Sequence, residues 1–231
     1  MSSSETWTAV DDFLAEHCLP PDPLLAEVIS ESAAAGLPSI QVSPNFGQFL
    51  QLLSQMVQAR RVLEIGTLGA YSTIWLARSL PPEGRLITLE IEPAHAEVAR
   101  MNIDRAGLGE MVEVRLGPAL ESLSQLAEEG AGPFDLTFID ADKATTPEYF
   151  DRAVRLSRPG SVIVVDNVVR KGGILDAATD DPSLLGVRRF FSRVRKDGRV
   201  RVSALQTVGI KGYDGFAIAL VTDPAGPAPG E

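Results

Sequence analysis

From Arg61 onward, short apolar runs alternate with longer segments whose apolar residues recur at helical spacing. The runs predict strands and the longer segments predict helices. The predicted strands are 61–65, 85–90, 112–116, 134–140 and 161–165, and the predicted helices are 72–80, 93–106, 119–128, 147–156 and 188–196. This alternation is typical of an α/β fold with a mainly parallel sheet and helices on both faces.

The two ends of the chain follow a different pattern. The last two apolar runs, 201–208 and 215–222, have no helix between them, which predicts an antiparallel edge of the sheet. Residues 1 to about 58 contain helical patterns, the last of them at 49–57, but no strand, so we expect a helical extension that covers the site, forms a subunit interface, or both. We therefore predict a single domain over residues 1–222 and a disordered tail at 223–231.

Composition limits the classes of function. The chain has 231 residues, of which 45% are hydrophobic and 23% charged, as in an ordinary globular domain. Its net charge of -10 leaves no basic stripe for phosphates, so nucleic acid and anionic membranes are not expected as partners. A single cysteine excludes an internal disulfide. Because membrane-spanning and signal-peptide patterns are missing, we expect a cytoplasmic location.

Oxygen-bearing side chains follow two of the predicted strands. Asp140 ends the run 134–140, and Asp166 and Asn167 follow the next strand. If these strands are neighbours, the three side chains meet at the carboxyl edge of the sheet, where open α/β sheets bind ligands. Hard cations take oxygen ligands, so the pattern predicts a divalent-cation site with Lys143 one helical turn away. The alternative is that both aspartates only cap the segments that follow.

A turn with two glycines, Gly66 and Gly69, follows the first predicted strand. Glycine lets the backbone approach a ligand, and the next helix presents free N–H groups. The dinucleotide fingerprint fails because its third glycine is missing, and Glu64 would repel a diphosphate but favour a cationic cofactor. Glu90 closes the second strand, where an acid binds ribose hydroxyls. A tight strand–helix turn without a ligand is the alternative.

Five segments, LEIGTLGAYS, TLE, GPALESL, FIDADK and VVDN, stand in order between about Ile40 and Thr222. Together they resemble the cation-dependent O-methyltransferases, a family that includes caffeoyl-CoA and catechol O-methyltransferases and small bacterial members. The resemblance implies a Rossmann-like, seven-stranded class I methyltransferase fold dependent on S-adenosylmethionine (SAM). It also implies a divalent cation (Mg²⁺, or else Mn²⁺ or Ca²⁺), a small aromatic acceptor and a homodimer.

The same resemblance assigns roles by motif position. It implies Lys143 as the catalytic base and Asp140, Asp166 and Asn167 as metal ligands. Contacts to SAM are implied for Val42, Glu64, Gly66, Ser72, Glu90, Ala119, Asp140 and Tyr149.

The chain departs from the plant pattern at the expected substrate mouth. Residues 144–146 are Ala-Thr-Thr in place of Asp-Asn-Tyr, and Arg170 stands where a tryptophan is frequent. These departures argue against caffeoyl-CoA as acceptor. Arg170 either meets a carboxylate on a smaller substrate or points to solvent, and segment 172–186 is either a mobile lid or a surface connection.

The predicted reaction is therefore methyl transfer from SAM to a hydroxyl of an ortho-dihydroxy, catechol-like aromatic, with Lys143 taking the proton. A hydroxyl of a natural product or polyketide is an alternative acceptor. A nicotinamide-dependent oxidoreductase is a second alternative, although it predicts a third glycine and no metal ligands. A binding protein without chemistry is the third.

Overall fold

The computed structural model describes residues 2–226 and residue 228. Three helices precede the sheet: α1 Ser3–Cys18, α2 Pro23–Ala34 and α3 Pro44–Met56. Strands and helices then alternate as β1 Arg61–Ile65, α4 Tyr71–Ala77, β2 Arg85–Glu90, α5 Pro93–Arg105, β3 Val112–Leu116, α6 Ala119–Glu128, β4 Phe134–Ile139, α7 Thr146–Arg155 and β5 Ser157–Val165. A 3-10 helix, Arg170–Leu175, leads to α8 Pro182–Val194, β6 Val200–Gly209 and β7 Gly212–Val221.

The seven strands form one sheet in the order β3-β2-β1-β4-β5-β7-β6. The first five in this order are parallel, and β7 runs antiparallel to both β5 and β6. The predicted parallel sheet with an antiparallel edge is confirmed. Because the strand order reverses between β1 and β4, the carboxyl ends of these strands border the crevice where open α/β sheets bind ligands.

A hydrophobic layer covers each face of the sheet. Along β5, Val162 and Val164 pack with α3 and α4, while Ile163 and Val165 pack with α7 and α8. Both faces of this strand are therefore buried, which explains why its sequence is continuously apolar. No helix within residues 2–226 is long and apolar enough to cross a bilayer.

Two helices begin earlier than their apolar patterns predict. The helix predicted at 188–196 begins at Pro182, because Asp181 caps it by accepting two backbone N–H groups. In the same way, α3 begins at Pro44 after the cap Ser43, and not at 49. Segment 172–186 consequently contains part of the 3-10 helix and the start of α8.

The predicted tail begins in a described turn. The N–H of Asp223 donates to the carbonyl of Arg199, and the N–H of Gly226 donates to Asp223. Residues 227 and 229–231 of the predicted tail lie outside the described residues.

Candidate active site

A cavity of about 1180 Å³ opens at the carboxyl ends of the parallel strands. Its walls come from the ends of β1, β2, β4 and β5, from the loop before α3, and from the turn between β6 and β7. Ten of the residues predicted for the site line it, namely Val42, Gly66, Ser72, Glu90, Ala119, Asp140, Lys143, Tyr149, Asp166 and Asn167. The eleventh, Glu64, lies behind the wall.

The glycine turn after β1 lies directly against the end of β4. Gly66 has a φ of +99°, and a Cβ atom at this position would lie 2.2 Å from the carbonyl oxygen of Asp140. Only glycine permits this approach. Leu68 and Ala70 in the same turn also have left-handed φ angles, 52° and 66°. Such backbone strain in non-glycine residues concentrates at ligand-binding sites.

Glu64 is fully buried beneath this turn. Its carboxylate accepts hydrogen bonds from the hydroxyls of Ser72 at 2.7 Å, Thr73 at 2.5 Å and Thr88 at 2.7 Å. Burial raises the pKa of Glu64 to about 7, although the three hydroxyls act in the opposite direction. The Ser72 hydroxyl, which lines the cavity, is thus oriented by a carboxylate that can carry negative charge near neutral pH.

Glu90 ties the end of β2 to the glycine turn. One of its oxygens accepts the N–H groups of Thr67 at 3.2 Å and Leu68 at 2.8 Å. The other accepts the N–H groups of Ile91 at 2.9 Å and Glu92 at 3.0 Å. Glu90 therefore fixes the shape of the turn while lining the cavity, and its contact to a ribose stays a prediction.

The predicted oxygen ligands meet where β4 and β5 end. Ile139 pairs with Val165 in these neighbouring strands, so Asp140 and Asp166 leave the sheet side by side. The Nζ atom of Lys143, a buried residue, lies 2.8 Å from Asp140 Oδ1. Burial, together with the charge of Asp140, raises the pKa of Asp166 to about 7.

This cluster fits a divalent cation. The two carboxylates of Asp140 and Asp166 lie near one ammonium group, that of Lys143, and burial opposes the negative charge that this leaves. Asn167 has a left-handed φ of 56°, a conformation that asparagine tolerates better than most residues. Within residues 2–226 and 228, no three side chains of the His, Cys, Asp and Glu types form a metal site. The amide of Asn167 stays the predicted third ligand, since an amide oxygen is a ligand that hard cations accept.

Two further aspartates of the site were missed by sequence reasoning. Asp142, within FIDADK, accepts the Tyr149 hydroxyl at 2.5 Å and the Thr145 N–H at 2.9 Å. Asp214 on β7 uses one oxygen, Oδ1, to accept three backbone N–H groups, from Val169 at 3.1 Å, Arg170 at 2.8 Å and Gly215 at 3.0 Å. Asp214 therefore fixes the loop that follows the predicted metal ligands.

An aromatic wall closes one side of the cavity. Phe46 and Phe49 on α3 pack against Phe216 on β7, with ring centroids 5.2 and 5.1 Å apart. All three line the cavity. None of the three was predicted as a site residue, because apolar spacing alone does not distinguish a cavity wall from the core.

Comparison with known proteins decides the family. The model of a family described as O-methyltransferase matches residues 15–220. The chain belongs to this O-methyltransferase family. It is 51% identical to a catechol O-methyltransferase of Niastella koreensis, across 95% of this chain and 99% of that protein.

Solved structures agree with this assignment. An O-methyltransferase from Bacillus cereus in complex with SAH has a TM-score of 0.93 at 55% identity, covering 94% of this chain and 99% of that one. TomG from Streptomyces achromogenes, involved in tomaymycin synthesis and in complex with SAM, has a TM-score of 0.93 at 45% identity, covering 96% and 100%. The predicted family resemblance and methyltransferase fold are confirmed, and the chain is an O-methyltransferase.

Proposed function

We propose that this O-methyltransferase transfers a methyl group from SAM to one hydroxyl of an ortho-dihydroxy aromatic and requires a divalent cation. The observation that carries this proposal is the cluster of Asp140, Lys143, Asp166 and Asn167, which opens into the same cavity as the glycine turn. The name of the Niastella koreensis relative and the ligands of the two solved structures support it.

The glycine-turn side of the cavity suits SAM. Gly66 and Leu68 of the glycine turn line it, together with Glu90 at the end of β2 and Ala119 at the start of α6. Glu64, beneath the turn, adds a buried carboxylate whose negative charge favours a cationic ligand over a neutral one. This is the electrostatic environment that a sulfonium cofactor needs.

Asp140, Asp166 and Asn167 would hold the cation, with Mg²⁺ the best match and Mn²⁺ or Ca²⁺ as alternatives for an all-oxygen ligand set. When bound, SAM supplies the methyl group, and the cation supplies Lewis acidity and a template for two adjacent hydroxyls.

Lys143 supplies the base. Its Nζ atom lies beside Asp140 in a buried position and lines the cavity, so a neutral Lys143 can take the proton of an acceptor hydroxyl held there. The wall of Phe46, Phe49 and Phe216 packs against an aromatic ring and excludes water, which adds positioning to proton removal.

The test measures methyl transfer from SAM to catechol, resorcinol and phenol, with added Mg²⁺, with a chelator, and after Mg²⁺ is restored. We expect turnover on catechol, loss of that turnover on chelation and recovery with Mg²⁺. Resorcinol and phenol should react poorly, because only adjacent hydroxyls can bind one ion together.

Equal turnover with and without the chelator would contradict the role of the cation. If SAM binds in a titration but no catechol reacts, a natural-product hydroxyl becomes the better proposal. The cavity volume of about 1180 Å³ leaves space for such an acceptor, since typical ligand pockets measure roughly 300–1,000 Å³.

We also propose that the protein acts as a homodimer on a small molecule, without a nucleic-acid or membrane partner. Support for the dimer comes from the exposed apolar face of α1 and the open edge of β6.

A further inference from the structure

Besides Lys143, two cationic side chains, Arg170 and Lys211, line the cavity. Arg170 comes three residues after Asn167 and is half-buried, while Lys211 is exposed in the turn between β6 and β7. Among the described residues, the guanidinium of Arg170 has neither a hydrogen-bond acceptor nor an ion-pair partner. The ammonium of Lys211 donates only to the carbonyl of Ser39, at 3.3 Å. The cavity lining thus includes two positive charges without a carboxylate partner among the described residues.

The backbone that carries Arg170 is strained and fixed. Arg170 and Lys171 have left-handed φ angles of 54° and 55°, which are unfavourable for side chains of this kind. Asp214 holds the segment by accepting the N–H groups of Val169 and Arg170. Strain that the surrounding structure maintains in this way is frequent at ligand-binding positions.

The carboxylates that share the cavity do not neutralise Arg170. Asp142 is engaged by the Tyr149 hydroxyl, and Asp214 by three backbone N–H groups. Asp11 of α1, which lies against the β6–β7 turn, accepts the N–H of Ile210. Lys143 pairs with one of the predicted metal ligands. Arg170 is therefore available to an acidic group of a ligand.

We propose that the natural acceptor is an ortho-dihydroxy aromatic that carries a carboxylate, and that Arg170 binds this carboxylate with Lys211 at the rim. This inference rests on the proposed function, since it names the substrate class of the same site. A planar guanidinium offers two parallel N–H donors that match the two oxygens of a carboxylate. An amine at the same place on the ring would meet like charges.

The experiment compares kcat/KM for three acceptors that differ in one substituent: 3,4-dihydroxybenzoate, catechol and 3,4-dihydroxybenzylamine. We expect the wild-type enzyme to prefer the acid over the amine by about tenfold or more, the value of one charge-assisted hydrogen bond. Arg170→Gln should lower the ratio of acid to catechol by about tenfold. Lys171→Gln removes the same charge one residue away, outside the residues that line the cavity, and should keep the wild-type ratio.

Equal use of the acid and the amine by the wild-type enzyme would overturn this inference and leave the proposed function standing, because catechol would still react. A loss of acid preference in Lys171→Gln as large as in Arg170→Gln would also overturn it. The preference would then come from the positive charge of the whole segment and not from a contact of Arg170. Failure of all three acceptors would instead contradict the proposed function. The wild-type comparison alone shows whether the site prefers the acid or the amine, so this result does not depend on whether a variant folds.

Discussion

At the scale of single residues, Lys143 is the side chain on which the proposed chemistry depends most. Its ammonium lies 2.8 Å from Asp140 Oδ1 and is buried. We expect Lys143→Ala to lower kcat by about 10²–10⁴-fold, the usual contribution of a positioned base, while SAM affinity in a titration stays close to wild type. Lys171→Ala is the matched control, because it removes an exposed lysine that does not line the cavity.

Removal of the ammonium also leaves Asp140 without its partner, so the effect on the metal must be separated from the effect on proton transfer. Loss of a positive charge beside the carboxylates should strengthen cation binding. A rate that stays low at saturating Mg²⁺ would therefore support proton transfer by Lys143. A variant with the full wild-type rate would exclude that role.

Sequence reasoning succeeds for some of these residues and fails for others for a physical reason. Asp140 and Asp166 directly follow apolar strands, so their meeting at one sheet edge follows from parallel pairing. The surroundings of Glu64 could not be predicted in this way. Its hydroxyl donors include Thr73 on α4 and Thr88 on β2, and only the packed fold brings these elements around one carboxylate.

At the scale of elements, β7 supports the loop that follows β5. Asp214 accepts three backbone N–H groups in and around this loop through one oxygen. We expect Asp214→Ala to raise the Mg²⁺ concentration for half-maximal activity by about tenfold, because each unpaired buried N–H costs about 1–3 kcal/mol and the loop carrying the ligands then shifts. A Mg²⁺ titration of activity checks this.

Asp214→Asn keeps a carbonyl oxygen as acceptor. Its Mg²⁺ concentration for half-maximal activity should therefore lie close to the wild-type value. The matched control is Asp176→Ala, since Asp176 also accepts a backbone N–H, that of Ala178 at 2.9 Å, but lies outside the cavity lining. If Asp214→Ala titrates like the wild-type protein, the loop does not depend on β7.

Apolar periodicity is sufficient to predict the boundaries of some elements but not of others. The bounds predicted for β1, β2 and β3 match the structure. Most residues of β1 and β2 are buried, whereas β3 buries only Val112. The starts of α3 and α8 were missed, since a polar cap followed by proline begins each helix before its first apolar turn. Apolar spacing does not detect these starts, because the capping residues are polar.

At the scale of the whole molecule, one side of the chain exposes apolar surface. Helix α1 buries none of its residues, and Val10, Phe13 and Leu14 on it are 50%, 58% and 42% exposed. The neighbouring strand β6 is an open edge of the sheet and exposes Leu205 and Val208. Exposed apolar side chains beside an unpaired edge favour coverage by another protein surface, and a second copy of this chain is the occupant we propose.

We expect the wild-type protein to sediment at twice the mass of one chain and Phe13→Asp to sediment as a monomer, because a charge in an apolar interface is not compensated. Met101→Asp is the matched control: Met101 is also an apolar helix residue, 53% exposed, but it lies on α5, at the opposite edge of the sheet from β6. A wild-type monomer, or equal dissociation of both variants, would contradict the proposed interface.

The dimer would also affect the acceptor side of the cavity. Asp11 of α1 accepts the N–H of Ile210 in the turn that carries Lys211, so α1 is attached to the rim itself. A partner that covers α1 restrains this turn, and its loss should raise KM for the acceptor more than KM for SAM in Phe13→Asp. Equal KM values in the monomer and the dimer would show that the rim holds its shape within one chain.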